Sequence, residues 1–495
     1  MKEKKITIYT SNLNYNKFVK NTNSNKIEIG RANYSGYQRG QKQIRNPSSN
    51  RTNDFNFYKS NRVVTQKKTS QMTNKAPIHS EIDNVNKFKP YVQINEKKKN
   101  VYNIKSGSVF QKNIPNNRLA SITKNLRYNN GTIGLVNIGN TCYLNSALQN
   151  LKNVYLLTSF LLSNYQNYDP NGFTYKYCQL IANLINQDIY QYFEPRDFLS
   201  KLSELVPIFR FGQQNDSNFC IIYNLSLLER ETKTYKRQNF LKDIKIRNLF
   251  TEKNKFNQNQ SELYEKEEKS KLNSFLLKFK ERRNSPIIDI FYGFQEDIYK
   301  CNNCSYINFN FQGISVLNLS IMNINNNPIY TLEEAIKNYQ YLQIYNKKKD
   351  FSCPNCPNNT ILTQSIIISF PKVLIINFKR IGEKKFYNHN VDIPMNLKID
   401  NDYEYELIGF IKHIGGANSG HNIAVCRNFF DGIWYVYDDS RVIPLYNSSY
   451  ENKINNNEKT IDTSNGFLFF YKKKDYIIDE EGIKIIKNKS AELRK

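Results

Sequence analysis

One break in composition decides which part of this chain can fold. Residues 1–130 are rich in Asn, Ser, Lys and Gln with scattered Tyr and Phe, and they sustain no apolar period of 2 or 3.6. Such a segment cannot bury enough apolar surface to offset the entropy of ordering, so it reads as a disordered tail. Its charge is one-sided: 26 Lys+Arg stand against 6 Asp+Glu, a net of +20 out of the chain's +27, which leaves +7 for residues 131–495. A basic excess confined to a tail can attract an acidic partner or nucleic acid there. It gives no ground for a nucleic-acid-binding face on the folded part.

From Gly131 the pattern changes. Leu144, Ala147, Leu148 and Leu151 recur at helical spacing, and so do Phe198, Leu199, Leu202, Leu205 and Val206. Residues 229–285 form a charged stretch of mixed sign that reads as an insertion carrying a surface helix. Strand signals dominate afterwards, at 314–321, 366–370, 373–378, 406–411, 422–427, 433–437 and 466–471. Helices first and strands later predict an α+β fold over residues 131–474, followed by a polar C-terminal extension at 475–495. No apolar run reaches the ~18 residues of a membrane span. The start, Met1-Lys2-Glu3-Lys4-Lys5, is followed by polar residues rather than a secretory apolar core. The expectation is a soluble intracellular protein, cytoplasmic or nuclear.

The chemistry begins at Gly134-Leu-Val-Asn-Ile-Gly-Asn-Thr-Cys142. Gly and Asn mark a tight loop up to Asn140, and either Thr141 or Asn140 suits the N-cap of the helix that follows. A thiol attacks a carbonyl only as thiolate, and a helix N-terminus or a neighbouring imidazolium favours that form. Cys142 stands at such a start. The Asn137 amide and the loop N–H groups can face a developing oxyanion. By helix position alone, Cys142 reads equally as a small buried side chain. Its partners change the reading, because a Cys nucleophile needs a base and the base needs an orienter. Of four His, His421 follows the Gly-rich stretch Gly415-Gly-Ala-Asn-Ser-Gly420 and opens an apolar strand. The next strand ends in Asp438-Asp439. Antiparallel pairing across the 427–433 turn brings Asp438 to His421, as in Cys-His-Asp triads.

Four of the eight cysteines form Cys301-Asn-Asn-Cys304 and Cys353-Pro-Asn-Cys356, with 48 residues between the pairs. Eight in so long a chain is not the density of a disulfide scaffold, and paired Cys-x-x-Cys turns suit one tetrahedral zinc. A closed four-thiolate site leaves no position for substrate, so that zinc is structural.

Together these residues resemble the ubiquitin-specific proteases, papain-like ubiquitin carboxyl-terminal hydrolases with a Cys-His-Asp site. Gly134–Leu151 looks like the family's Cys box, and His413–His421 with Trp434–Ser440 looks like its His box. Ile287–Gly293, Pro371–Arg380 and the closing Gly466–Tyr471 also match family segments. The resemblance covers about residues 131–474 and implies a fingers-palm-thumb architecture, with the zinc cysteines in a fingers region at 295–365. It implies Cys142 as nucleophile, His421 as general base and then acid, Asp438 as orienter and Asn137 as oxyanion donor. Asp439 assists at the oxyanion or stands in for Asp438. Ubiquitin's C-terminal tail then passes between Asp216 and the Gly415, Gly416 and Gly420 loop. The activity implied is hydrolysis of isopeptide or peptide bonds after the last Gly of ubiquitin. The other reading is a weak or inactive ubiquitin-binding or ubiquitin-like-binding scaffold of the same fold. Two positions depart from the family pattern: Asn422 stands where an aromatic commonly follows the catalytic His, and Phe219 stands where a second acid is usual.

Overall fold

The computed structural model describes three short strands within residues 5–29, and residues 131–494 apart from 186–190, 234–260, 305, 342, 346–352, 358–359, 381–386, 417–418 and 446–460. The three short strands, Lys5–Tyr9, Asn16–Asn21 and Ile27–Ile29, pair antiparallel in that order. Most of the basic tail, and the disorder expected of it, lies outside the described residues.

From Gly131 the order is helices, then strands, as the apolar pattern requires. Five helices come first: Cys142–Lys152, Tyr155–Ser163, Phe173–Ile185, Arg196–Leu205 and Ser217–Glu231. The main sheet then assembles antiparallel neighbours in the order Arg441–Pro444, Trp434–Asp438, Ser419–Arg427, Glu404–Gly416, Gly466–Lys473 and Val373–Lys379, with Leu317–Ser320 joined in parallel at the edge.

Side-chain alternation explains why this sheet sits in the middle of the protein. Along Val373–Lys379, Val373 and Ile375 join the core shared with the five helices, while Leu374, Ile376 and Phe378 join a second core on the other face. The closing strand repeats the division, with Leu468 and Phe470 on one face and Phe469 and Tyr471 on the other. A short helix, Leu332–Tyr339, covers the second face.

The fingers are a separate four-stranded sheet of Gly293–Cys301, Ile307–Ile314, Ile361–Ser369 and Gln343–Tyr345. The single strand expected at 314–321 is two strands, because the chain leaves this sheet at Ile314 and enters the main one at Leu317. The charged stretch contributes a helix, Ser261–Arg282, whose Phe275 and Phe279 pack on the fingers beside Phe294 and Phe311. Its neighbour Arg283 reaches back to Glu229 of the helical layer, with Nε to Oε1 at 2.7 Å, and to the Tyr292 hydroxyl at 2.9 Å.

The C-terminal stretch holds a helix, Glu480–Leu493, begun by Asp479 as N-cap. Its Ile486 and Ser490 are fully buried and the Asp479 carboxylate accepts from the Tyr155 hydroxyl at 2.9 Å. Two apolar turns among many charges are enough to seat it.

The Cys142–Lys152 helix is buried along all 11 residues, between the other helices and the main sheet. Lys152 ends it with its ammonium against the Gly131 carbonyl and the Tyr437 hydroxyl, and burial lowers its pKa to about 7. The close approach to the sheet needs Gly409, where a Cβ would lie 2.4 Å from Asn150 Oδ1. Gly409→Ala is therefore expected to lower stability by about 1–3 kcal/mol, the usual cost of overpacking a tight interface. Denaturant midpoints compared with wild type check this; an unchanged midpoint contradicts it.

Candidate active site

One side chain shapes the loop ahead of Cys142. Asn137 Oδ1 accepts from the Gly139 N–H at 3.2 Å, the Thr141 N–H at 3.0 Å and the Thr141 hydroxyl at 3.3 Å. Thr141 occupies the N-cap position, but its hydroxyl makes no cap bond to the helix and accepts instead from the Ile138 N–H at 3.1 Å. Gly139 and Asn140 turn through positive φ, +106° and +55°, which Gly and Asn tolerate better than other residues. The Asn140 amide then donates to the Gly212 carbonyl at 2.9 Å. Cys142 is thus the first residue of the helix, 5% exposed. The first-turn N–H groups of a helix lack intrahelical acceptors and attract negative charge.

His421 comes from the middle of the main sheet, directly opposite Ile414 in the neighbouring strand. Its Nε2 lies 2.5 Å from Asp438 Oδ1. That bond first, and the nearby Cys142 second, raise the imidazole pKa from 6.5 to about 10 against the opposing effect of burial. Asp438 is in turn held below the usual carboxylate range by its bond to His421. The strand pairing expected across the 427–433 turn is present, with Ala424 opposite Tyr437 and Arg427 opposite Trp434.

Asp439 has a different set of partners. Its Oδ2 is 3.9 Å from His421 Nε2, yet it accepts from Asn137 Nδ2 at 2.9 Å. Its Oδ1 accepts from Asn145 Nδ2 at 2.8 Å, and its own carbonyl accepts from the Leu135 N–H at 2.8 Å. A left-handed backbone, φ +50°, lets it face the Cys142 loop while Asp438 faces His421. With Oδ1 holding three protons and Nδ2 holding Asp439, the Asn137 amide has one orientation. Sequence reading passed over Asn145. Its signal was its place three residues after Cys142, on the same face of the helix.

The substrate candidates lie at a helix start and on a hairpin. Asp216 is exposed and caps Ser217–Glu231, accepting from the Asn218 N–H at 2.8 Å. Gly415 and Gly416 form the exposed end of the otherwise mostly buried strand Glu404–Gly416, paired in a hairpin with Gly420 and Ser419; residues 417–418 are outside the described residues. Phe219 packs against the helical core.

The four finger cysteines converge. Cys301 Sγ and Cys356 Sγ are 3.5 Å apart, as are Cys304 Sγ and Cys353 Sγ, and all four sulfurs lie within 4.8 Å of one another. Those separations are far too long for S–S bonds. They are close to the ~3.8 Å edges of a tetrahedron with Zn–S bonds of about 2.3 Å. The Asn303 N–H donates to Cys301 Sγ at 3.4 Å, as a thiolate at a metal turn accepts. The donor set therefore fits one zinc.

Comparison with known proteins agrees. The family model for ubiquitin carboxyl-terminal hydrolase matches residues 133–471, well over half of the chain. The chain belongs to that family. Human ubiquitin carboxyl-terminal hydrolase 2 is 24% identical over 361 residues, covering 69% of this chain and 55% of that protein. Bovine ubiquitin carboxyl-terminal hydrolase 21 is 25% identical over 363 residues, covering 69% of this chain and 61% of that protein. The chain thus spans little more than half the length of these relatives. Among solved structures, a chain of the SAGA DUB module bound to monoubiquitin has the same fold, with TM-score 0.50 and 17% identity over 73% of this chain and 74% of that one. The fold is thus the α+β, papain-like architecture the sequence led to expect. Among the described residues no helix is long and apolar enough to cross a membrane.

The raised His421 pKa fixes a direction. A base whose folded pKa exceeds its unfolded value stabilises the fold fully below about 6.5, and that contribution is lost as pH rises through about 10. Asp438→Asn removes the first cause. The imidazole titration, followed by NMR, is then expected to move from about 10 toward ~6.5. A midpoint left near 10 contradicts this assignment.

Proposed function

We propose that the chain is a deubiquitinating cysteine protease that hydrolyses isopeptide or peptide bonds after the C-terminal Gly of ubiquitin. The observation that carries the reading is His421, held by Asp438 Oδ1 at 2.5 Å and near enough to Cys142, the first residue of its helix, for that thiol to act on the imidazole. An imidazole held protonated at neutral pH is the natural partner of a thiolate.

In this reading Cys142 Sγ attacks the carbonyl carbon of the terminal Gly, and the C=O electron pair moves onto oxygen. Asn137, its amide held by Asp439, and the first-turn N–H groups stabilise that oxyanion. The intermediate collapses as the C–N bond breaks, and His421 gives its proton to the leaving amine. The resulting thioester is attacked by a water whose proton His421 accepts. The ubiquitin carboxylate leaves, the thiolate returns, and His421 is again protonated. Asp438 keeps the imidazole oriented throughout.

Asp216 and the Gly415, Gly416 and Gly420 hairpin form the two walls for the substrate's tail, since Gly-Gly is narrow enough to pass between close backbones. Phe219, turned into the core, leaves one acid at this helix start. That favours a weaker grip on a basic tail, of order 1.5–3 kcal/mol for a lost charge-assisted bond. It keeps a ubiquitin-like substrate, or a weakly active binding scaffold, as the second reading.

Cys301, Cys304, Cys353 and Cys356 would hold one structural zinc, pinning the tip of the fingers. Residues 131–474 form the catalytic domain, with 229–285 and the fingers at 295–365 as parts of it. The basic tail is offered to an acidic partner, and the setting is intracellular.

A fluorogenic ubiquitin C-terminal substrate tests the activity. Wild type is expected to cleave it and Cys142→Ala to lose at least ~10⁴-fold, as removal of a nucleophile does in triad hydrolases. Equal activity in the two ends the mechanism; preference for a ubiquitin-like substrate selects the second reading. Metal analysis tests the zinc: about one ion per chain in wild type and a large loss in Cys301→Ser are expected, and no zinc in wild type contradicts the assignment.

A further inference from the structure

Cys142 and His421 come from different layers of the protein, a helix and a sheet. Their immediate neighbours, Tyr143 and Asn422, are joined on the buried side by two hydrogen bonds through one hydroxyl. Ser217 Oγ donates to the Tyr143 carbonyl at 3.0 Å, and Asn422 Nδ2 donates to Ser217 Oγ at 3.1 Å. Ser217 is wholly buried and Asn422 is 9% exposed. Asn422 is itself held from the far side, where its Oδ1 lies 2.9 Å from His413 Nδ1. His413 is its cross-strand partner, and its Nε2 lies 3.1 Å from the Gly416 carbonyl in the hairpin. Gly420 makes room for that ring, since a Cβ there would lie 2.2 Å from it.

The Ser217 hydroxyl donates to the Tyr143 carbonyl and accepts from the Asn422 amide, whose oxygen faces His413 Nδ1. The two links through Ser217 are short and buried, where a polar group left without its partner is costly. Successive residues of a strand point to opposite sides. His421 therefore faces Cys142 and Asp438 while Asn422 faces Ser217, and moving one moves the other. The sequence marked Asn422 as a departure from the family's pattern at this position; here the Asn closes a bridge that an aromatic side chain has no amide to make.

We propose that Asn422, acting through Ser217, is a positioning residue that sets the separation of His421 from Cys142. The inference rests on the proposed roles of Cys142 and His421 and adds what holds them in place relative to each other. Misplacing a reacting group by about 1 Å costs on the order of 10²-fold in rate. The effect belongs in kcat, because neither residue is asked to grip the substrate's tail.

The test uses the full chain and three variants. Asn422→Asp keeps the size and the acceptor toward His413 but loses the donor to Ser217; Ser217→Ala loses the bridging hydroxyl; the third carries both. On a fluorogenic ubiquitin C-terminal substrate each single variant is expected to lose about 10- to 100-fold in kcat with KM within about threefold. The double variant should lose little more than the worse single one, since all three break the same bridge. A second readout needs no substrate: the pH profile of Cys142 alkylation by iodoacetamide, read by mass spectrometry of the Cys142 peptide. The profile should differ from wild type in all three variants, because the imidazole no longer meets the thiol.

A rise in KM at unchanged kcat, additive losses in the double variant, or an alkylation profile identical to wild type would each overturn the proposal. Failure of wild type to cleave the ubiquitin substrate would instead count against the proposed substrate. The alkylation profile would still decide the bridge.

Discussion

The site depends on how closely one wholly buried helix seats against the centre of an antiparallel sheet. Cys142 is the first residue of that helix and His421 belongs to the sheet, so their contact is only as good as the interface behind them. The interface is polar as well as apolar. Asn150 donates to the Phe410 carbonyl at 3.4 Å where Gly409 leaves room, and Asn145 donates to Asp439 at 2.8 Å. Buried bonds of this kind contribute little net stability each, but they are costly to break, and so they select one seating over its neighbours.

Two adjacent acids divide the work because the backbone bends between them. Asp438 ends an extended strand and faces His421; Asp439, at positive φ, faces the loop before Cys142. One turn of chain therefore holds the His421 imidazole on one side and the Asn137 amide on the other. The fingers sheet is a separate packing unit with its own aromatic core. Its four clustered cysteines lie on that separate unit, away from the residues around Cys142.

Much of this was legible from residue order. The Cys142 loop and helix, the Gly-rich approach to His421 and the strand ending in Asp438 carry local signals, and local signals survive without tertiary context. What was not legible is made by contacts between distant segments. Thr141 reads as a capping residue, yet its hydroxyl is drawn to Asn137 four residues earlier. Asn145 and Ser217 look like ordinary polar positions on helices until the sheet supplies Asp439 and Asn422. The helix at 480–493 hides among charges because two buried turns suffice to seat it. The strand signal at 314–321 is continuous in composition, but the chain passes there from one sheet to another.

Cys142 is proposed here as a nucleophile for a carbonyl at the end of ubiquitin. The most direct measurement is reaction of the full chain with ubiquitin carrying a C-terminal electrophile, followed by mass spectrometry of the cysteine peptides. One ubiquitin adduct is expected, on Cys142, formed quickly at neutral pH and blocked by prior alkylation of that thiol. Stable ubiquitin binding with Cys142 left unmodified would contradict it, and would make the chain a binding scaffold on the same fold.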